Sequence, residues 1–111
     1  MSTFTPAVPA DQVAPGSALR VVLGDTAIAV VHADEGFFAV ADRCSHADVS
    51  LAEGDVVDCT IECWLHGSAF DLRSGDPLTP PATRPIRVYP TRVTTDGIIE
   101  IDISDTEKGI S

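Results

Sequence analysis

The stretch RCSHADVSLAEGDVVDCTIECWLHGSAF, residues 43–70, contains all three cysteines of the chain and two of its three histidines. Cys44 and His46 form a Cys-x-His pair. Cys63 and His66 form a Cys-x-x-His pair, and sixteen residues separate the two pairs. Thiolates and imidazoles are the ligands that hold zinc ions and some iron–sulfur clusters. The segment therefore predicts a metal centre, which at this point is either one zinc ion or an iron–sulfur cluster.

The segments on both sides of this stretch have the composition and alternation of short β-strands. Five of them are rich in Val, Ile and Phe: ALRVVL (18–23), AIAVVHA (27–33), FFAVA (37–41), IRVYPTRV (86–93) and IIEIDI (98–103). Hairpin-type turns such as Gly24–Asp25 separate them. A helical period never extends far enough to predict a helix, although residues 9–17 are compatible with a single turn. The pattern predicts an all-β fold, an antiparallel sandwich or barrel.

A chain of 111 residues is expected to form one domain. We expect a basal β scaffold from about residues 1–41 and 85–104. A loop-rich, metal-binding subdomain, about residues 42–84, is inserted into it. The polar residues 105–111 form a tail. In this division the scaffold provides a rigid support, and the inserted subdomain binds the metal.

Seventeen acidic against seven basic residues give a net charge of −10, which disfavours nucleic acid and anionic lipid as partners. The acidity serves either solubility or steering toward a basic partner. The first residues show no secretory signal pattern, and the longest strongly apolar run, AIAVV (27–31), is too short for a membrane span. These features predict a soluble, cytoplasmic protein whose cysteines are thiols or metal ligands.

Cys-x-His is a cramped spacing for two ligands of one tetrahedral ion, and suits a pair of metals better. The segment resembles the Rieske family, through CSH at residues 44–46 and CWLHG at residues 63–67. The resemblance implies a Rieske-like fold and one 2Fe–2S cluster with two cysteine and two histidine ligands. It assigns Cys44 and Cys63 to the buried iron, and His46 and His66 to the outer iron.

Four further residues are expected around the cluster. Gly67 lets the backbone approach it, or is an ordinary turn glycine. Pro81 lies in a proline-rich loop that covers the cluster in the family, or in a plain connection between strands. By resemblance, Ser68 donates a hydroxyl hydrogen bond to the cluster. Trp64 shields the cluster, contacts a partner or packs one loop on the other.

The remaining cysteine and histidine are not expected to bind the cluster. Cys59 follows a turn residue, Asp58, and is predicted to be a free thiol. His32 lies within a predicted strand and is interpreted as structural. With His46 and His66 committed, too few histidines remain for the mononuclear iron of an oxygenase, which needs two histidines and a carboxylate. The protein is therefore expected to be an electron carrier and not an enzyme.

The chain looks like a Rieske-type ferredoxin, similar to the ferredoxin component of bacterial aromatic-ring dioxygenase systems. The resemblance implies two partners, a flavin-dependent NAD(P)H reductase and a terminal oxygenase, which a monomer meets in transient complexes. One alternative is a ferredoxin-like accessory protein of iron–sulfur assembly or of another non-oxygenase pathway. A zinc-binding interaction module is the other alternative.

Overall fold

The computed structural model describes residues 4–42, 50–63, 68–78 and 85–103. These residues form ten β-strands and two short 3₁₀ turns, and no α-helix lies among them. The strands are, in chain order, β1 (Phe4–Pro9), β2 (Ala18–Leu23), β3 (Thr26–Ala33), β4 (Gly36–Ala41), β5 (Asp55–Val57), β6 (Thr60–Glu62), β7 (Ala69–Asp71), β8 (Val88–Tyr89), β9 (Thr91–Val93) and β10 (Ile98–Asp102). The 3₁₀ turns are Ala10–Gln12 and Leu51–Glu53. The predicted all-β class is confirmed.

The predicted strands before residue 42 are found within one residue of their expected limits as β2, β3 and β4. The segment 86–93 forms two strands, because Pro90 separates β8 from β9. The turn predicted at Asp58–Cys59 and the single helical turn expected within residues 9–17 are also present. Strand β1 was not predicted from the sequence, because it contains Pro6 and Pro9, and proline within a segment argues against a strand. Both prolines are tolerated because β1 lies at the edge of its sheet.

The strands form three antiparallel sheets. Their orders are β1-β10-β9, β2-β3-β4-β8 and β5-β6-β7. The first two sheets lie side by side, since β1 contacts β2 and β4 contacts β9, and together they form the barrel-like scaffold. The third sheet, which we call the small sheet, comes entirely from residues 55–71.

Strand β3 lies between β2 and β4, and both of its faces are buried. Ile28 and Val30 point into one hydrophobic cluster, together with Ile99 and Ile101 of β10. Ala29, Val31 and Ala33 point into a second cluster. This alternation follows from the two-residue period of a strand. The wall of the scaffold therefore supports a core on each side.

The second cluster attaches the small sheet to the scaffold. It contains Leu51 from the 3₁₀ turn, Ile61 from β6, and Phe70 with Leu72 from the β7 region. An exposed ion pair between Arg73 and Glu35 also joins the small sheet to the β3–β4 turn. Exposed pairs contribute little to stability. The apolar cluster is therefore the main attachment.

The tail predicted at residues 105–111 lies outside the described residues. Within the part of the chain that is described, helices with the length and hydropathy of a bilayer span are absent.

Gly54 follows the 3₁₀ turn Leu51–Glu53 and lies against the backbone of Glu62. A Cβ atom there would overlap the backbone oxygen of Glu62, so we expect Gly54→Ala to destabilise the fold by about 2 kcal/mol or more. Gly24 has a φ of +63° with open space around it. Gly24→Ala is therefore the matched control, with a strain cost of about 1 kcal/mol. The measurement is the midpoint of thermal unfolding. Equal midpoints for the two variants would contradict the proposed packing.

Candidate metal centre

The structure describes one of the four predicted ligands, Cys63. Cys44, His46 and His66 lie outside the described residues. The same is true of three of the predicted neighbours: Trp64, Gly67 and Pro81. Ser68 lies within the described part. A group of three or more metal-binding side chains is absent from the described residues, and three of the four predicted ligands are not among them. The candidate centre is therefore defined by the residues that flank its two predicted loops.

Cys63 comes directly after β6 and has 1% of its surface exposed. Its backbone N–H donates a hydrogen bond of 2.7 Å to the carbonyl oxygen of Ser68. This bond closes residues 64–67 across their base, one residue before β7 begins. Ser68 is fully buried. The residues that flank the second predicted ligand loop, Cys63 and Ser68, are thus joined by a main-chain hydrogen bond at the end of the β6–β7 pair.

The surroundings of Cys63 fit a metal-bound thiolate. Cys63 belongs to the same hydrophobic cluster as Leu51, Ile61 and Phe70, so water is excluded from its inner side. A thiolate is the form of cysteine that binds iron or zinc, and burial among apolar groups is costly for a thiolate without such a partner. Cys59 belongs to the same hydrophobic cluster, so what distinguishes Cys63 is its position directly before residues 64–67, at the start of the Cys-x-x-His pair.

The first predicted ligand loop, residues 43–49, begins after Asp42, which follows β4. The side chain of Asp42 is fully buried. Its carboxylate accepts a hydrogen bond of 2.6 Å from the Ser50 hydroxyl and one of 2.7 Å from the Ala52 backbone N–H. Arg20 Nε of β2 lies 2.9 Å from the same carboxylate. One side chain therefore joins the residue before the loop to the residue after it.

Asp42, Ser50 and Gly54 were not identified from the sequence as part of the site. A single aspartate immediately after an apolar strand is an ordinary turn signal. Its partners depend on the 3₁₀ turn Leu51–Glu53, which has no distinctive pattern of its own. The only available signal was its position next to the Cys-x-His motif.

Cys59 is a buried free thiol at the other end of β6 from Cys63. Four residues of extended chain separate the two α-carbons by about 13 Å. Two thiolates of one metal centre must lie much closer, because each metal–sulfur bond is about 2.3 Å long. Burial raises the pKa of the Cys59 thiol, although the Arg73 guanidinium opposes this shift. Cys59 is therefore expected to be a protonated thiol at neutral pH.

His32 has a structural environment. Its Nδ1 lies 2.9 Å from the carbonyl oxygen of Val13, which requires Nδ1 to carry the proton and donate it. The ring also stacks on Phe37, with 4.2 Å between the ring centroids. These contacts support the interpretation of His32 as a packing residue.

Comparison with known proteins identifies a family whose members carry an iron–sulfur cluster. A model of the Rieske [2Fe-2S] domain family matches residues 3–90. The biphenyl dioxygenase ferredoxin subunit of Pseudomonas sp. strain KKS102 is 41% identical to the chain over 92 residues. The match covers 82% of this chain and 84% of that protein.

Two solved structures are similar over nearly the whole chain. The ferredoxin of carbazole 1,9a-dioxygenase from Nocardioides aromaticivorans superposes with a TM-score of 0.86 at 30% identity, and the match covers 93% of this chain and all of that one. A chain in the complex of reduced oxygenase and oxidized ferredoxin in carbazole 1,9a-dioxygenase gives a TM-score of 0.82 at 31% identity, covering 92% and 94% of the two chains.

Replacement of the two described cysteines should distinguish a metal ligand from a cysteine that does not bind the metal. We expect Cys63→Ser to lose most of its iron and sulfide, because hydroxyl is a poor substitute for a thiolate ligand. Cys59→Ser is the matched control and should keep both at the level of the unmodified protein. Iron and acid-labile sulfide counts on the purified proteins provide the measurement. A normal count in Cys63→Ser, or loss in Cys59→Ser, would show that the cysteines are wrongly assigned.

Proposed function

The chain belongs to the Rieske [2Fe-2S] domain family, and from this membership we propose that it serves as the ferredoxin component of an oxygenase system. Its cofactor is a Rieske-type 2Fe–2S cluster, and it is an electron-transfer protein rather than an enzyme. In the proposed role it accepts one electron from a flavin-dependent NAD(P)H reductase and delivers it to a terminal oxygenase. The zinc-binding module considered from the sequence is set aside, because the family's centre is an iron–sulfur cluster.

The length of the similarity supports the proposal best. The match covers 84% of a dioxygenase ferredoxin subunit and all of a solved ferredoxin chain. In carbazole 1,9a-dioxygenase, a similar ferredoxin in its oxidized state forms a complex with the reduced oxygenase. We propose by analogy that this chain also has an oxygenase partner. These matches favour that role over an accessory protein of iron–sulfur assembly.

We propose that Cys44 and Cys63 bind the inner iron, and that His46 and His66 bind the outer one. The cluster supplies storage for a single electron, with no bond made or broken. The task of the chain is then to hold both loops still and to exclude water from the inner iron. The buried Cys63, fixed by its hydrogen bond to Ser68, meets both requirements on one side of the centre. A preorganised site of this kind needs little rearrangement when its charge changes.

We further propose that Gly67, Ser68, Trp64 and Pro81 surround the cluster. Ser68 is fully buried and directly follows the loop that carries His66. The division of the chain into a scaffold and a metal-binding insertion at about residues 42–84 is part of the same proposal. It is consistent with a small sheet built only from residues within that range.

The charge of the protein suggests how partners are recognised. The net charge is −10, and two exposed carboxylates lie near Cys63. Asp55 pairs with Glu62, the residue before Cys63, and Glu53 lies two residues before Asp55. We propose that a basic surface of the reductase or the oxygenase docks near this end. A monomer in transient complexes suits this role, since one surface serves two partners in turn. Neither Cys59 nor Cys63 forms a disulfide among the described residues, which agrees with a reducing compartment, and we propose a cytoplasmic location.

The proposed function predicts a direct electron transfer. The dithionite-reduced protein should show the electron paramagnetic resonance (EPR) signal of a Rieske cluster. When mixed without oxygen with an oxidised aromatic-ring dioxygenase, it should reduce that enzyme's own cluster. Stopped-flow absorbance follows the transfer, and the Cys63→Ser variant is the inactive control. A protein with a Rieske signal that reduces no such oxygenase, and is reduced by no flavin-dependent NAD(P)H reductase, would contradict the proposed partners.

Electrostatic docking predicts a strong dependence on salt. Between about 20 mM and about 200 mM ionic strength we expect the bimolecular transfer rate to fall about tenfold or more, because screening shortens the reach of the charges. The double variant Glu53→Gln/Asp55→Asn should reduce this dependence. The control Asp11→Asn/Asp96→Asn removes two exposed carboxylates at the scaffold and should not change it. Equal salt dependences in the two double variants would mean that docking does not use the Glu53 and Asp55 region.

A further inference from the structure

The carboxylate of Asp42 lies where three segments of the chain meet. Arg20 comes from β2, Asp42 from the end of β4, and Ser50 with Ala52 from the region of the 3₁₀ turn. The backbone N–H of Asp42 also donates to the carbonyl oxygen of Ala27 in β3. A buried carboxylate with this many partners is held in one position, since each lost bond would leave a buried polar group unsatisfied.

The 3₁₀ turn continues this connection toward the second predicted ligand loop. Leu51 is fully buried in the hydrophobic cluster that contains Cys63. The N–H of Gly54 donates to the carbonyl oxygen of Leu51, and Gly54 lies against the backbone oxygen of Glu62. Asp55 then pairs with Glu62, the residue before Cys63. A continuous path of hydrogen bonds and close packing therefore runs from Asp42 to Cys63.

We infer that Asp42 is a positioning residue for the metal centre. Its carboxylate joins the residues that flank 43–49, Asp42 and Ser50, and the 3₁₀ turn Leu51–Glu53 connects this junction to the segment that ends at Cys63. The inference rests on the proposed ligand set, because Cys44 and His46 lie within residues 43–49 and have to meet a cluster that Cys63 also holds. In proteins generally, replacing a residue that orients metal ligands through hydrogen bonds lowers the metal affinity about 10-fold to 100-fold.

Hydrogen bonding, rather than charge, is the property of Asp42 that carries this role. Arg20 lies 2.9 Å from the carboxylate and offsets its charge. Its guanidinium is half-exposed, so it can remain solvated when its partner is lost. The Ser50 hydroxyl and the Ala52 N–H have no such freedom, because they belong to the turn that Leu51 anchors in the core.

Two substitutions at Asp42 separate hydrogen bonding from charge. Asp42→Asn removes the charge but keeps an oxygen that can accept from the Ala52 N–H and an amide that can donate to the Ser50 hydroxyl. Arg20 Nε faces the same position as the Ser50 hydroxyl, and this half-exposed side chain has to turn toward solvent in the variant. Asp42→Ala removes the charge and both hydrogen bonds. Because neither variant has the charge, a difference between them comes from the hydrogen bonds and from the lost side-chain volume, and Ile101→Ala controls for the lost volume. Ser50→Ala removes a single bond and gives a milder test, should Asp42→Ala fail to fold.

The experiment measures cluster loss to an iron chelator in the cluster-loaded protein and the EPR spectrum after reduction. We expect Asp42→Ala to lose its cluster about tenfold faster than the unmodified protein and to give broadened EPR lines, since the ligands occupy a range of positions. Asp42→Asn should stay within about threefold of the unmodified protein with normal line widths. Ser50→Ala should lie between the two.

Ile101→Ala is the control for general destabilisation, because Ile101 is buried in the other hydrophobic cluster, away from Cys63. It should lower the unfolding midpoint and leave the EPR line widths unchanged. The inference is overturned if Asp42→Ala and Ser50→Ala have unmodified spectra and lifetimes, or if Asp42→Ala behaves no differently from Ile101→Ala. It is also overturned if Asp42→Asn is as impaired as Asp42→Ala. An unmodified protein without a Rieske signal would instead refute the proposed function.

Discussion

The burial of β3 on both faces is the constraint on which the rest of the structure depends. A strand of a scaffold wall usually has one face toward a core and one toward solvent. Here Ile28 and Val30 support the scaffold core, while Ala29 and Val31 support the cluster beneath the small sheet. The near-continuous apolar run in β3 reflects this double role. Without the second face, the small sheet would have little to pack against.

The proposed metal centre depends on that second face. Leu51 and Cys63 belong to the hydrophobic cluster that β3 supports. The 3₁₀ turn that follows the first predicted ligand loop and the residue that begins the second are therefore packed in the same cluster. The hydrogen bonds of Asp42 and of Cys63 then fix the two loop bases individually. Apolar packing holds the small sheet on the scaffold, and hydrogen bonds determine the local geometry. An electron carrier benefits from both, because a rigid site rearranges little when its charge changes, and electron transfer then needs little reorganisation energy.

The parts of the fold that could be predicted are those whose signal is local. Strands β2, β3 and β4 are runs of six or more residues rich in Val, Ile, Phe and Ala, and the ligand motif is a short run of cysteine and histidine. Strands β5, β6 and β7 have only three residues each, and their stability comes from pairing and from the shared cluster rather than from their own composition. The role of Asp42 could not be predicted either, since it depends on where a turn eight to ten residues later places Ser50 and Ala52. Of the predicted ligands, the structure gives the surroundings of Cys63.

The pairing of β1 with β10 has a consequence for how the chain folds. It joins Phe4 to Asp102, so the loop that closes on forming this contact contains almost the entire described chain. The β2-β3-β4 and β5-β6-β7 sheets instead connect strands that follow one another directly, except where β8 joins β4. Contacts between distant residues carry the largest loop-closure entropy, and hairpins form much sooner. During synthesis, the two hairpin sheets are therefore expected to acquire structure while β10 is still within the ribosome. The framework of the metal centre can then be in place before the scaffold is complete.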